Sequence, residues 1–401
     1  MTQAPELHPI YLRREGLDPD PELAAIRETS GIVRVQTAVG MPAYLVTRYA
    51  DIKKVLADGE RFSNGRPPGF TLPGMPDVSE EEQARLRTGN LLRTDPPEHT
   101  RLRRMLRGEF TARRIQRLEA GIAALVDEHL DAMATAGPPF DLVAGFALPI
   151  PSLVICDLLG VPYEDRESFQ QRTAQELDLS LPLAKRVELL REGRQYMSSL
   201  VAAARRDPRD DLLGMLVTQH GGELSDDELI GIANLLLVAG HETTANMLAL
   251  GTLALLRHPD QLAAVRDDPH AVAPAVEELL RFLSILHTGM FRVTTTDVEI
   301  AGIPIGPGEL VVLSLPSGNR DESLFERGGQ LDVGRVAPGH LAFGHGVHHC
   351  LGAPLARMEM RIAFPALLRR FPTLALDEPF DQVDFRAFHF IYGLRSLKVT
   401  W

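Results

Sequence analysis

The sequence predicts a mainly α fold with small β-sheets, and three observations carry that expectation. Helical periodicity dominates from about residue 98 to 240. One helix, opening at Ser225, is apolar almost throughout and far longer than an ordinary globular helix. After Arg292 the pattern changes to short β-branched runs between Gly and Pro, and helix returns past Cys350 to about Arg370.

Taken in order, the first strand signals are residues 33–37 and 43–47, apolar runs on either side of a Gly-containing turn. Residues 63–78 are rich in Gly and Pro and read as a long irregular loop, of the kind that often carries function. The helical stretch that follows is interrupted at Gly137-Pro138-Pro139, at Pro149 and Pro151, and at Pro182. Ser225 and Glu228 form a capping box, with Asp226 and Asp227 favouring a helix N-terminus. The apolar run ends before His258-Pro259, so a helix of about 32 residues would span roughly 48 Å. His241-Glu242-Thr243-Thr244 interrupts its centre, which excludes a membrane span and gives a buried helix something polar to do halfway along.

The chain has 401 residues, 44% hydrophobic and 24% charged, which excludes wholesale disorder. At this length roughly three quarters of the unfolded surface can be buried, enough to enclose a large ligand. A net charge of −12 argues against a general nucleic-acid binder. Cys156 and Cys350 cannot build a disulfide framework, and the opening residues have no apolar stretch for a signal or anchor. A soluble, cytoplasmic, monomeric protein is expected, neither membrane- nor nucleic-acid-bound. No repeat or linker divides it, so residues 1–401 read as one domain. Its parts are a β-containing start (about 1–60), a helical core (about 98–285) and a β-rich, cysteine-loop end (about 286–401).

The sharpest local signal runs from Phe343 to Gly352. Gly344 and Gly346 permit positive φ and a close backbone approach to a flat ligand. Cys350 opens a helical pattern, where backbone N–H groups and the helix dipole favour a thiolate. A lone cysteine held this way suits an axial bond to haem iron. Zinc is an alternative, given His345, His348 and His349, but adjacent His-His-Cys lacks the common module spacing. A plain buried thiol is the other alternative, and it is the preferred reading for Cys156.

With Phe-Gly-x-Gly-x-His-x-Cys-x-Gly quoted as it stands, the chain resembles the cytochrome P-450 haem-thiolate monooxygenases of the soluble bacterial type over essentially its full length. The resemblance implies a triangular helical prism around the long helix, haem b, O2 as co-substrate, and electrons from NAD(P)H through ferredoxin reductase and ferredoxin. Cys350 would be the iron's axial ligand, with Phe343, Gly344 and Gly352 shaping the loop around the haem. Glu278 and Arg281 match the family's structural Glu-x-x-Arg pair, though i,i+3 charge pairs usually only decorate a helix. Ala239 and Gly240 would make room for a ligand. Thr243 would hydrogen-bond the reduced dioxygen while Glu242 relays protons, assistance typically worth about 10²–10⁴ in rate. His99, Arg103, Arg292 and His348 fall where propionate partners are expected. Arg101, Arg103, Arg104, Arg107, Arg113, Arg114 and Arg117, opposed nearby only by Glu109, reverse the local sign of charge. A solvated face explains most such runs. The resemblance points instead to a ferredoxin docking face of Arg104, Arg107 and Arg113, extended by Arg357 and Arg361.

Substrate contacts by the same resemblance would come from Phe70, Leu91, Leu179, Leu236, Ala239, Ile285, Leu286, Met290, Phe390 and Ile391. Such an apolar lining suits a bulky hydrophobic molecule or peptide, possibly carrier-bound; plain core packing is the alternative for each. The stretches from Arg13 to Pro19 and from Tyr392 to Trp401 resemble the glycopeptide-antibiotic cross-linking branch, as does His349. The intact Glu242-Thr243 pair, which that branch tends to lack, favours hydroxylation or epoxidation in antibiotic or other secondary metabolism over phenol coupling. A non-catalytic haem- or carrier-binding module is the alternative of another class.

Overall fold

The structure is a computed structural model, and it describes residues 9–65, 73–76, 78–336 and 339–401. Phe70 lies outside them. The long helix runs Asp226–Leu256, one residue shorter than expected. Both halves of the capping box are present: Ser225 Oγ accepts from the Glu228 N–H, and the Glu228 carboxylate accepts from the Ser225 N–H. The sequence breaks fall as their chemistry requires. Helix Ala112–Ala136 stops at Gly137, whose φ of 69° is left-handed. Helix Pro149–Leu159 starts on a proline whose missing N–H costs nothing there. Helix Leu183–Arg206 begins directly after Pro182.

Most of the core surrounds the Asp226–Leu256 helix, packed by Pro149–Leu159, Leu183–Arg206 and the cysteine-loop helix Ala353–Arg370. A five-stranded sheet lies to one side, in the order Ile32–Gln36, Pro42–Val46, Leu310–Leu313, Met290–Thr294, Phe62–Ser63. Its one parallel pairing sets Val311 against Tyr44, joining the N-terminal hairpin to a strand more than 250 residues later. The expected strand signals at 33–37 and 43–47 are therefore two neighbouring strands of this sheet, each shifted by one residue. A second sheet joins Phe140–Asp141, Lys398–Thr400 and Ala375–Leu376.

The two chain ends meet. Arg14 donates to the Leu283 and Ser284 carbonyls, at 2.8 Å each, and its guanidinium lies 4.4 Å from the Tyr392 ring centre. Tyr392 Oη donates to the Gly16 carbonyl at 2.5 Å. Two segments that share one resemblance in sequence thus form one contact in space. Cys156 is a buried thiol, pushed up to about 12 by burial, as core filler should be. No helix among the described residues is long and apolar enough to cross a membrane.

Candidate active site

The middle of the long helix is where its burial fails. Residues 229–234 and 244–255 are buried, yet Ala239 is exposed and Leu235, Leu236, Val238, Gly240 and Thr243 are partly so. Positions 236, 239 and 243 share one helical face. A core helix that bares one face at its centre lines an internal cleft. Gly240 keeps the opposite side tight, since a Cβ there would stand 2.8 Å from Ile155.

Thr243 Oγ1 donates to the Ala239 carbonyl at 2.8 Å, so its own proton is engaged and its lone pairs remain for the cleft. Glu242 is buried and turned away. Its Oε2 lies 3.3 Å from Arg386 Nη1 and 3.4 Å from Asn246 Nδ2. No hydrogen bond joins Glu242 to Thr243 among the described residues. His241 is a packed core histidine: Nδ1 meets the Leu237 carbonyl at 2.7 Å and Nε2 meets Thr173 Oγ1 at 2.9 Å. Burial lowers its pKa.

On the cysteine side, the loop geometry follows from two glycines. Gly344 (φ 70°) and Gly346 (φ 73°) are left-handed, and a Cβ on Gly346 would meet the Leu56 carbonyl at 2.4 Å. The turn closes with the Cys350 N–H donating to the Phe343 carbonyl at 2.9 Å. The Cys350 sulfur receives the N–H groups of Gly352 and Ala353 at the start of the following helix. Even so, burial pushes the thiol up, against these bonds and the nearby Arg103 and Arg357 charges. Cys350 nonetheless has accessible surface; the two facts fit a side chain on the wall of an internal cleft. The expected stabilisation of a thiolate is therefore present but insufficient alone. A metal cation at sulfur would complete it.

The residues present fit haem. His99 (both ring nitrogens), His348 (Nε2) and Arg292 (Nη2) hold buried polar atoms with no partner among the described residues. They come from helix Glu98–Arg107, the cysteine loop and strand Met290–Thr294, and the His99 and His348 rings stand 4.1 Å apart. Burial lowers Arg292 to about 10, and burial with His99 and Arg292 lowers His348 to about 3. Unpaired donors converging from three segments need an acidic acceptor, which carboxylate side arms supply. Arg103 departs from the expectation: its Nη2 donates to the His349 carbonyl at 2.6 Å, within the cysteine loop. The zinc alternative finds no support, since no grouping of three His, Cys, Asp or Glu suited to a metal occurs among the described residues.

Glu278 and Arg281 are not surface decoration. Both are buried, bridged at 2.7 Å by two bonds, and tied to the 319–335 segment. The basic face divides. Arg104, Arg107, Arg113 and Arg117 are exposed with no ion-pair partner among the described residues, whereas Arg101 pairs with Glu228 and Arg114 with Glu109. Arg357 and Arg361 both meet Glu277, at 2.7 and 3.5 Å, so their charge is matched and they extend the patch less than expected. Of the expected substrate contacts, Leu236, Ala239, Leu286, Met290 and Phe390 keep accessible surface, and Leu179 packs beside the sheet. Leu91, Ile285 and Ile391 are core residues. Backbone bonds from Phe390 to Leu177, Leu179 to Phe388 and Tyr392 to Ile285 bring three of the predicted segments together. Sequence reasoning missed Arg386. Nothing local marks it as the partner of a carboxylate 144 positions away.

The cytochrome P450 family model matches residues 26–385. Cytochrome P450 FAS1 of Rhodococcoides fascians is 49% identical over 393 residues, covering 98% of both chains. The solved structure of P450 StaH from glycopeptide antibiotic A47934 biosynthesis is 42% identical with a TM-score of 0.87, over 98% of this chain and 100% of that one. The CYP105P1 complex with filipin I is 39% identical with a TM-score of 0.90, over 97% of each. The chain belongs to the cytochrome P450 family. It is accordingly a haem b monooxygenase that uses O2 and electrons originating in NAD(P)H, with relatives in secondary metabolism.

Proposed function

We propose that the protein inserts one oxygen atom from O2, by hydroxylation or epoxidation, into a bulky natural product of antibiotic or other secondary metabolism. The observation that carries this is the bared face of the central helix. Leu236 and Ala239 offer an apolar floor, and Thr243 offers a hydroxyl on it. Haem, when bound through Cys350, supplies the activation of O2 by thiolate donation. His99, Arg292 and His348 would hold its carboxylates, with Arg103 bracing the cysteine loop. Thr243 Oγ1 accepts a hydrogen bond from a protonated group in the cleft, because its own proton lies on the Ala239 carbonyl. Glu242 holds the next proton at Oε1 or Oε2 and reaches Thr243 by turning from Arg386 or through a water. Arg386, itself only partly buried, positions that carboxyl group through the 3.3 Å contact. Electrons would arrive through a ferredoxin docked on Arg104, Arg107 and Arg113, served by a ferredoxin reductase.

Oxidative coupling is the second reading, and the likeness to StaH favours it. Labelled ¹⁸O₂ separates the two: label in product supports insertion, and product without label supports coupling. Thr243→Ala tests the proton role. It should divert reducing equivalents to hydrogen peroxide and lower the product formed per NAD(P)H by at least about tenfold. Unchanged coupling would remove Thr243 from the mechanism.

A further inference from the structure

Glu277 and Glu278 stand side by side on helix Val272–Leu283, and consecutive positions on a helix point in different directions. Glu278 turns inward to Arg281. Glu277 is half-buried and meets the two segments that flank the cysteine. Its carboxylate takes Arg357 in a two-pronged contact, accepting from Nε at 2.7 Å and from Nη2 at 2.8 Å. It also accepts from His340 Nε2 at 3.2 Å. His340 Nδ1 accepts the Ala342 N–H at 3.1 Å, so a neutral ring with its proton on Nε2 satisfies both partners. Arg361, one turn beyond Arg357, reaches the same carboxylate at 3.5 Å.

His340 precedes Cys350 in the chain and Arg357 follows it on helix Ala353–Arg370. One carboxylate from a separate helix therefore ties both ends of the cysteine loop together. Phe343 stands between the tied groups. Its ring centre lies 4.6 Å from the Arg357 guanidinium, 5.9 Å from the His340 ring and 6.3 Å from the His349 ring. The Phe343 carbonyl accepts the Cys350 N–H at 2.9 Å, so a displaced Phe343 displaces the backbone that carries the cysteine. A planar guanidinium fixed by two bonds can lie on that ring in one orientation, which a lysine ammonium cannot. The Glu277 and Arg357 side chains keep 31 and 28% of their surface exposed, so the pair adds little to global stability.

We infer that Glu277 is a positioning residue for the axial ligand: through Arg357 and His340 it fixes Phe343, and through Phe343 it holds the Cys350 sulfur in place for iron. This rests on Cys350 being the ligand. It gives Arg357 a task within the loop, apart from the docking of an electron donor, and separates Glu277 from its neighbour Glu278, which holds the 319–335 segment.

The test follows the dithionite-reduced, carbon monoxide-bound haem protein in urea well below the unfolding midpoint. There the red-shifted Soret band gives way to the shorter-wavelength band as the thiolate is lost. Glu277→Gln and Arg357→Met should each speed that conversion at least about threefold. Their unfolding midpoints by circular dichroism should stay within about 0.3 M urea of the parent. The double variant should convert about as fast as the quicker single, since each change breaks the same pair. Arg357→Lys keeps the charge without the flat two-pronged contact and should side with Arg357→Met. Parent-like conversion in Glu277→Gln, Arg357→Met or Arg357→Lys would overturn the inference. So would opposite shifts in the first two, which charge alone would produce, or an acceleration matched by a lowered midpoint. A parent without the red-shifted band would overturn it together with the ligation it rests on, which sets the two failures apart.

Discussion

Glu278→Gln and Arg281→Met, singly and together, probe the bonds that hold the cysteine loop's approach. Glu278 accepts from Arg281 Nε and Nη2 at 2.7 Å, from the Asp332 N–H at 2.9 Å and from Arg335 Nε at 3.2 Å. Arg281 further donates to the carbonyls of Asn319, Gly328 and Gln330, at 2.7, 2.7 and 3.0 Å. Asn319 Oδ1 in turn accepts the Leu341 N–H at 2.7 Å, and the Leu341 carbonyl accepts the Gly344 N–H. The pair thus reaches the cysteine loop through two more bonds. Both side chains are almost wholly buried, at 0 and 1% exposure, so removing one partner strands the other's charge. Such losses cost about 3–5 kcal/mol. With a urea m value of about 3 kcal/mol per molar, each single change should lower the unfolding midpoint by about 1–1.7 M. The double variant should cost less than the sum by about 0.5–3 kcal/mol, since each single change already breaks the shared pair. Far-UV circular dichroism gives the midpoints, and the Soret absorbance gives haem retention. Single losses under about 0.5 kcal/mol, or a double variant equal to the sum, would refute the reasoning.

Gly346→Ala should weaken haem retention and cost roughly 1–3 kcal/mol in urea unfolding, because its φ is left-handed and the new methyl meets the Leu56 carbonyl. A parent-like midpoint would show that the contact yields. His287 is buried, with its Nε2 donating to the His389 carbonyl at 2.8 Å, and burial lowers its pKa from 6.5 to about 3. Below pH 6.5 the unfolded chain takes up a proton that the folded chain refuses, so this histidine's contribution is lost as pH falls toward 3. The slope reaches about 1.4 kcal/mol per pH unit. His287→Gln, which can keep the donor, should flatten stability against pH over that window; an unchanged slope would sink the assignment.

What the sequence revealed was what local chemistry writes. Ser225 and Glu228 cap within four residues, prolines end helices where they stand, and Gly344 and Gly346 mark the loop that needs them. Ala239 and Thr243 came from the family resemblance, and only the fold shows that they share a bared face with Leu236. Hidden were the pairings made only by the folded chain. Arg386 on Glu242, Arg14 under Tyr392 and Arg357 on Glu277 each join residues tens to hundreds of positions apart. Nor could charge spacing distinguish Glu278-Arg281 from the i,i+3 pair Lys185-Glu188, which lies exposed. Burial separates them, and burial is a property of the whole fold.

The most direct test of the account is the carbon monoxide difference spectrum of the dithionite-reduced protein, beside Cys350→Ser. The parent should give the red-shifted Soret band from which the family takes its number, and the variant should lose it while keeping parent-like circular dichroism. A parent band at the shorter wavelength of a neutral axial ligand, or a red-shifted band that survives in Cys350→Ser, would contradict thiolate ligation by Cys350.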